Sequence, residues 1–408
     1  MKIAVVEYLS GGGLSERTLS SSVLSEGYSM LHSVLRDFKE AGYCTSTLLD
    51  SRLAKFQPPL KADRIYVTDS YRDFEVKFKD LLKDSNASFL IAPESDGILV
   101  DLLRLSEEIG VASINCTIPS IVSISNKLRL YKKLEDRGFI VPETRCVKID
   151  EGLEKAQEIV EEMDFPLVIK PIESIGCCGL SILYDVFHLP KAINKIMMEA
   201  GIRTYLIQKL VRGVHASVSL ISNKGKAIPL TLNLQMIALN RPRKISEYIG
   251  GLVPLDHTLK EVALYTAKRA VELFRGLRGY VGVDIVLSKS GPVLIEINPR
   301  LTVSYLGLRE VSNLNVAKMM VEASLENRLP GDFNTSGCAL FSKQILPLIN
   351  KDLLKETYKM KEVLAPPFPI NNNNYAFYIT KGRDIKEAKI KFTQVKNRLR
   401  RIVESDVK

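Results

Sequence analysis

The strongest chemical pattern in the sequence is a pair of short apolar segments within residues 281–298 that carry Asp284, Glu296 and Asn298. A tight turn joins the segments, which predicts two adjacent strands. Glu296 and Asn298 are two positions apart and therefore face the same side of their strand. Two carboxylates and an amide oxygen are ligands that suit Mg²⁺, and a carboxylate among apolar neighbours is costly unless it is paired. The alternative is a sheet whose polar face only contacts water.

A second pattern is a lysine followed by a glycine-rich turn. Lys170 ends an apolar segment, and Ser174, Gly176 and Gly179 come shortly after it. A lysine at the end of a buried strand needs a fixed anion, and glycines let backbone N–H groups approach phosphates closely. The turn by itself is equally typical of a hairpin, so the pairing with the lysine is what favours a phosphate site.

Two further patterns are weaker in isolation. Lys127 opens a helix predicted at 126–137, where a solvated lysine is the more common situation. Gln208, Val211 and His215 lie where one apolar strand breaks and a second begins. Such a hinge can offer backbone groups to an adenine edge and apolar side chains to its ring. It is also compatible with a generic bend.

Strands and helices must position these candidate residues, and the first part of the sequence predicts strands that alternate with helices. Residues 2–9 form a β-branched apolar run, and helical spacing of apolar residues follows at 26–41. Strand and helix patterns alternate over the first ~115 residues, which predicts an open parallel α/β unit. Residues 144–210 then mix strands and helices in the manner of an α+β unit.

The second half is predicted to contain the candidate metal strands and several loops. Two strands are expected within 214–236, and the polar, Gly- and Pro-containing stretch 240–257 is predicted to be a long loop. Residues 301–315 are also interpreted as a loop. A basic amphipathic helix is predicted at 384–403.

Six residues are candidates for substrate contacts: Glu7, Gly12, Glu94, Asp96, Arg241 and Arg243. Ligands of open α/β sheets bind outside the carboxyl ends of the strands, where the first four are predicted to lie. Glu94 and Asp96 could receive a substrate amine or stabilise the start of a helix at 98–109. The two arginines lie in the predicted long loop and could bind a substrate carboxylate or only contact water.

Taken together, the patterns resemble the ATP-grasp superfamily over about residues 110–330, with a preceding α/β domain like that of the family. The resemblance implies a multidomain α/β and α+β protein with the ATP-grasp fold. It assigns ATP-binding roles to Lys127, Lys170, Ser174, Gly176, Gly179, Gln208, Val211 and His215, metal ligation to Asp284, Glu296 and Asn298, and catalytic roles to Lys170 and Arg300. Gln208 stands where a Glu is common, and His215 where many members have an acidic residue.

This resemblance implies carboxylate activation with ATP and Mg²⁺, for which Mn²⁺ can substitute. One substrate carboxylate attacks the γ-phosphate, and an amine then attacks the resulting acyl phosphate. Catalysis of this kind depends on neutralising and positioning the phosphates more than on covalent help from the protein. The implied partners are therefore a small-molecule acid and a small-molecule amine.

Short motifs narrow the resemblance to the archaeal tyramine–L-glutamate ligase group, whose members act in methanofuran biosynthesis. These motifs are EYLSGG at 7–12, Glu26-Gly27 with Met30-Leu31, APESDG at 92–97, and YIGGLVP at 248–254. The group implies that the γ-carboxylate of glutamate is phosphorylated and that the amine of tyramine attacks it. The C-terminal ~75 residues go beyond what this resemblance accounts for.

The predicted domains follow from these assignments. Residues 1–117 are expected to form the N-terminal α/β substrate domain, 118–210 the small ATP-grasp domain, and 211–330 the ATP-grasp domain with the metal site. Residues 331–408 are expected to form a C-terminal α+β extension that carries the basic helix.

Composition limits the remaining alternatives. The 57 Lys and Arg exceed the 47 Asp and Glu by 10, and residues 376–408 contain ten of the former and four of the latter. Most of the excess charge is thus expected on a solvated C-terminal helix, which argues against nucleic-acid binding. No apolar run is long enough for a membrane helix. Six cysteines are too sparse for a disulfide scaffold, so a reducing cytoplasm is expected.

Three other functions stay open at this point. A carboxylase-like enzyme that uses bicarbonate would share the ATP site, although the sequence contains no biotin-carrier segment. A basic nucleic-acid-binding protein and an ATP-grasp protein without catalysis are the others. The oligomeric state is also open, and a homodimer is one of the expectations.

Overall fold

Three β-sheets and the helices packed against them make up the fold. The computed structural model describes residues 1–173, 176–347, 350–371 and 373–404, with side chains described through residue 402. No helix within those ranges combines the length and the apolar character needed to cross a membrane.

The N-terminal unit is a parallel five-stranded sheet in the order β3-β2-β1-β4-β5. Its strands are β1 (Lys2–Glu7), β2 (Cys44–Asp50), β3 (Arg64–Thr68), β4 (Ala87–Ile91) and β5 (Ala112–Ser113), and its helices are α1 (Ser21–Glu40), α2 (Ser51–Ala54), α3 (Tyr71–Lys83) and α4 (Ile98–Ile109). Every residue of β4 is buried, as expected for a strand covered on both faces. The predicted open parallel α/β unit is confirmed, and the carboxyl ends of β1 and β4 lie side by side with Glu7 paired to Ile91.

Two consecutive helices, α5 (Ile118–Ser125) and α6 (Lys127–Glu135), lead out of this unit. Asn126 separates them and caps α6, because its side-chain oxygen accepts the backbone N–H of Arg129 at 3.1 Å. Lys127 therefore stands at the first helical position.

A smaller antiparallel sheet follows in the order β6-β9-β7-β8. It consists of β6 (Thr144–Lys148), β7 (Leu167–Pro171), β8 (Ser181–Leu183) and β9 (Thr204–Lys209), with helices α7 (Gly152–Glu162) and α8 (Leu189–Ala200). These elements enclose a core of their own that includes Leu167, Ile169 and Ile207.

The largest sheet has eight strands in the order β14-β13-β10-β11-β12-β15-β17-β16. Its strands are β10 (Val214–Asn223), β11 (Lys226–Ala238), β12 (Glu247–Val253), β13 (Gly279–Ser288), β14 (Gly291–Asn298), β15 (Cys338–Leu346), β16 (Val363–Ala365) and β17 (Asn374–Gly382). The accompanying helices are α9 (Lys260–Glu272), α10 (Ser304–Val311), α11 (Val316–Leu325), α12 (Lys351–Tyr358) and α13 (Ile385–Glu404).

Two predicted loops are wrong. Residues 240–257 contain β12, which pairs on one side with β11 and on the other with β15. Gly250 is needed there, since a Cβ atom would lie 2.1 Å from the carbonyl oxygen of Phe341 on β15. Residues 301–315 contain the whole of α10. Both elements depend on partners distant in sequence, so local composition could not indicate them.

The C-terminal residues are not a separate extension. Strands β15, β16 and β17 continue the same sheet that carries β13 and β14, and α13 packs on it through Ala388, Val395 and Leu399. The structure therefore joins the predicted 331–408 segment to the 211–330 segment in one sheet. Helix α13 does occupy the position predicted for the basic helix.

Candidate active site

The hairpin of β13 and β14 brings the three candidate metal ligands together. Asp284 lies opposite Glu296, and Gly282 lies opposite Asn298. The register shifts after Asp284, which makes Ile295 an extra residue in β14. The paired strands thus place two carboxylates and an amide on one side of the sheet, as the spacing predicted.

Asp284 is held by neutral donors. The amide nitrogen of Asn298 donates to Oδ2 at 3.1 Å, and that of Gln235 donates to Oδ1 at 2.9 Å. Burial and the neighbouring Glu296 raise the pKa of Asp284 to about 7. A buried carboxylate of this kind gains from a cation, and the available oxygens are those that Mg²⁺ prefers. The residues present therefore fit a magnesium ion.

Lys127 reaches the same carboxylates from the start of α6. Its Nζ lies 3.0 Å from Oε1 of Glu296, and its side chain is 8 % exposed. Burial alone would raise the pKa of Glu296, but Lys127 and Lys170 outweigh that effect and lower it. The lysine suggested only weakly by sequence is thus a buried member of the site.

Lys170 lies at the centre of a small network with Tyr131. Its Nζ donates to the tyrosine hydroxyl at 3.3 Å, which in turn donates to the carbonyl oxygen of Ile295 at 2.8 Å. The amide of Gln208 also donates to this hydroxyl, at 3.1 Å. Burial, together with the charge of Lys127, lowers the pKa of Lys170 to about 7. Lys127 already pairs with Glu296, so a phosphate beside both lysines would supply the negative charge that Lys170 lacks.

Both lysines line one cavity, which we call the lysine cavity. Gln208, Val211 and His215 line it as well, and it is closed by apolar side chains from both flanking sheets: Val168, Leu180, Leu210, Ile237, Leu239, Ile285 and Val286. Its volume is about 880 Å³ including its open mouth. An apolar slot with two buried cations at one end suits a nucleotide.

Only some residues of the glycine-rich turn line the lysine cavity. Gly176 and Cys177 line the lysine cavity. Gly179 does not line it: its N–H donates to Glu199 at 2.9 Å, and a Cβ there would lie 2.9 Å from Pro171. Ser174, predicted to bind ATP, lies outside the described residues.

A second cavity, the carboxylate cavity, lies between the eight-stranded sheet and the N-terminal unit. Glu7, Glu26, Arg300 and Tyr248 are among its lining residues, and its volume is about 1070 Å³ including its open mouth. The two cavities have a common wall formed by Gly176, Cys177, Gln235, Ile237, Asp284 and Glu296. Asp284 and Glu296 therefore face both cavities, whereas Asn298 lines the carboxylate cavity.

Arg300 connects this wall to the N-terminal unit. Its Nε lies 2.7 Å from Oε2 of Glu94, and both side chains are largely buried. The other oxygen of Glu94, Oε1, is buried and makes no hydrogen bond to the described residues. Glu94 is thus the partner of Arg300 and not a lining residue of the carboxylate cavity.

Four other predicted substrate residues, like Glu94, lie outside both cavities. Gly12 packs against Thr68, whose Oγ1 would lie 2.1 Å from an added Cβ, and Asp96 occupies a tight turn with a φ of 56°. Arg241 and Arg243 line a separate shallow cavity, in which the guanidinium of Arg241 lies 5.0 Å from the ring centre of Tyr184. These positions serve turns and a surface cavity because their chain segments point away from the common wall.

Sequence reasoning missed several residues of the site. Tyr131 is four positions after Lys127 on α6, so helical spacing could have placed both on one face. Gln235 on β11 carries no comparable local signal, and Glu26 on α1 appeared only in a motif of the resemblance, without a role. Glu26 forms an ion pair with Lys343 of β15, at 2.7 Å.

Comparisons with known proteins agree with this geometry. A family model described as an ATP-grasp domain matches residues 124–304, and one described as a pre-ATP-grasp domain matches residues 43–121. The chain is 28 % identical over 322 residues to tyramine–L-glutamate ligase from Methanocaldococcus jannaschii, covering 78 % of this chain and 88 % of that protein.

Solved structures share the fold over nearly the whole chain. An ATP-grasp superfamily protein from Archaeoglobus fulgidus has a TM-score of 0.64 at 23 % identity, covering 94 % of this chain and 99 % of that one. The biotin carboxylase–β,γ-ATP complex from Campylobacter jejuni has a TM-score of 0.70 at 15 % identity, covering 96 % and 89 %. With the two family models in succession along its sequence, this chain belongs to the ATP-grasp superfamily.

Proposed function

We propose that this protein is an ATP-dependent ligase that joins the γ-carboxylate of L-glutamate to the amine of tyramine. The observation that carries the proposal is the common wall of the two cavities. Asp284 and Glu296 face the lysine cavity on one side and the carboxylate cavity on the other. A nucleotide phosphate and a substrate carboxylate can therefore meet at this wall.

The lysine cavity supplies what phosphoryl transfer requires. Lys127 and Lys170 are buried cations that would hold the phosphates of ATP, and the apolar slot near Val211 would hold the base. Transfer of a γ-phosphate depends mainly on such charge neutralisation and alignment. Asp284, Glu296 and Asn298 would hold Mg²⁺, which neutralises phosphate charge when bound.

The reaction proceeds in two balanced steps. An oxygen of the glutamate carboxylate attacks the γ-phosphorus, the bond to the β–γ bridging oxygen breaks, and ADP leaves. The neutral amine nitrogen of tyramine then attacks the acyl carbon, inorganic phosphate leaves, and the nitrogen loses a proton. Arg300, which lines the carboxylate cavity, would stabilise the negative charge that develops on the acyl phosphate and on the tetrahedral adduct.

The identity of the substrates is supported by the curated relative. The alignment with the tyramine–L-glutamate ligase of M. jannaschii covers 78 % of this chain and 88 % of that protein. We further propose that Mn²⁺ can replace Mg²⁺ and that the enzyme works in the cytoplasm, where ATP and glutamate are available. A homodimer is a hypothesis that a mass measurement in solution would test.

The test is an assay of the purified protein with ATP, Mg²⁺, L-glutamate and tyramine. We expect ADP and phosphate in equal amounts and an amide whose mass is the sum of the two substrates minus water. Glu296→Gln should reduce turnover by about 10²-fold or more, because it removes a metal-binding charge. ADP formation that depends on bicarbonate instead of tyramine, or a fully active Glu296→Gln variant, would contradict the proposal.

A further inference from the structure

The carboxylates that line the carboxylate cavity differ in their partners. Glu26 pairs with Lys343 and Glu296 pairs with Lys127. Asp284 belongs to the candidate magnesium site. Glu7 is different: among the described residues, no Lys, Arg or His nitrogen lies within the 4.0 Å that defines an ion pair with it. It is therefore a lining carboxylate for which the described residues supply no cationic partner.

Glu7 is rigidly held at the carboxyl end of β1. Its Oε1 accepts the N–H of Leu9 at 3.2 Å, and its Oε2 accepts both the N–H and the hydroxyl of Ser10, at 2.7 and 2.6 Å. The residue is 1 % exposed. Burial raises the pKa of this carboxyl, and the hydrogen bonds only partly oppose that effect. A fixed, desolvated acceptor of this kind is suited to a hydrogen bond from a ligand.

Apolar residues line much of the cavity around Glu7. Val23, Gly27 and Met30 lie on one face of α1, at helical spacing, and line the cavity together with Glu26, whose carboxylate is paired with Lys343. Ile91 of β4 lines it on the other side. A Cβ on Gly27 would lie 2.6 Å from Oε1 of Glu7, so the helix backbone itself closes over the carboxylate. The result is a largely apolar wall with a hydrogen-bond acceptor in it, which suits a flat ring carrying a hydroxyl group.

We propose that Glu7 accepts a hydrogen bond from the phenolic hydroxyl of tyramine, and that it thereby selects tyramine over arylethylamines that lack the hydroxyl. This inference rests on the proposed function. Glu7 belongs to the wall formed by the N-terminal sheet, whereas Asp284 and Glu296 belong to the opposite sheet, where the amine must attack. The ring would lie between Val23 and Met30 of α1 and Ile91 of β4.

The first test needs no variant. ADP formation is measured with ATP, Mg²⁺ and L-glutamate and with either tyramine or 2-phenylethylamine as the amine. A hydrogen bond to a charged acceptor contributes about 1.5–3 kcal/mol, so kcat/KM should be about 10- to 10²-fold lower with 2-phenylethylamine than with tyramine. Turnover of the two amines within about threefold of each other would overturn the inference while the ligase function stands. Turnover with neither amine would refute the proposed function and the inference with it.

The second test uses Glu7→Gln, which preserves the size of the side chain. We expect the preference for tyramine over 2-phenylethylamine to fall at least tenfold. Glu16→Gln is the control, because Glu16 is an exposed glutamate of the same N-terminal unit that lines neither cavity, and we expect it to keep the preference. Melting temperatures of both variants show whether they are folded. An unchanged preference in folded Glu7→Gln, with a raised KM for glutamate, would instead place the glutamate ammonium at Glu7 and refute the inference.

Discussion

The ion pair between Glu26 and Lys343 connects the C-terminal strands to the carboxylate cavity, and its two partners are unequally buried. The side chain of Lys343 is 4 % exposed and that of Glu26 is 16 % exposed. Lys343 also donates to the hydroxyl of Ser22 at 2.5 Å. Removing one partner of a buried pair costs about 3–5 kcal/mol of unfolding free energy, because the other charge stays buried without compensation.

The difference in burial between the two side chains predicts which single substitution lowers the free energy of unfolding more. Glu26→Gln leaves the more deeply buried charge and should cost about 3–4 kcal/mol, whereas Lys343→Met leaves a carboxylate that reaches the cavity and should cost about 2 kcal/mol. The double variant should regain much of the loss, since both charges are then absent. For 408 residues that unfold as one unit, 3 kcal/mol corresponds to a fall of roughly 3–4 °C in melting temperature.

Differential scanning calorimetry of the wild type, the two single variants and the double variant measures this order. A double variant as unstable as the sum of the singles would show that the residues act independently. Losses below about 0.5 kcal/mol for both single variants would show that the pair is effectively solvated. Either result would show that the ion pair with Lys343 of β15 does not stabilise the position of Glu26 at the cavity.

Two further results are expected. Gly250→Ala should destabilise the protein, because its Cβ would meet the carbonyl of Phe341 at 2.1 Å, whereas Gly331→Ala, with nothing within 4 Å, should not. Melting temperatures compare the two, and equal values would contradict the close approach of β12 and β15. Gln208→Leu should raise the KM for ATP about tenfold with little change in the KM for glutamate, because it removes a hydrogen bond worth about 1–2 kcal/mol from the Tyr131 hydroxyl. Steady-state kinetics checks this, and equal increases in both KM values would contradict it.

The sequence by itself determined the parts of the site that depend on near neighbours. Asp284, Glu296 and Asn298 belong to one hairpin, where a tight turn and an alternation of two residues decide which side chains share a face. The Asn126 cap likewise sets the start of α6 and hence the place of Lys127. The parallel N-terminal sheet was predictable because apolar strands and amphipathic helices alternate in it.

Only the tertiary structure decided how distant segments complete the cavities. Arg300 meets Glu94 across 206 positions of sequence, and Lys343 meets Glu26 across 317. Strand β12 pairs with both β11 and β15, although the polar, Gly- and Pro-containing stretch 240–257 around it was predicted to be a loop. Such pairings depend on which strands become neighbours, and no local pattern of residue types specifies that. The C-terminal residues consequently read as an extension in the sequence, whereas in the folded chain they form part of the sheet that carries the candidate metal ligands.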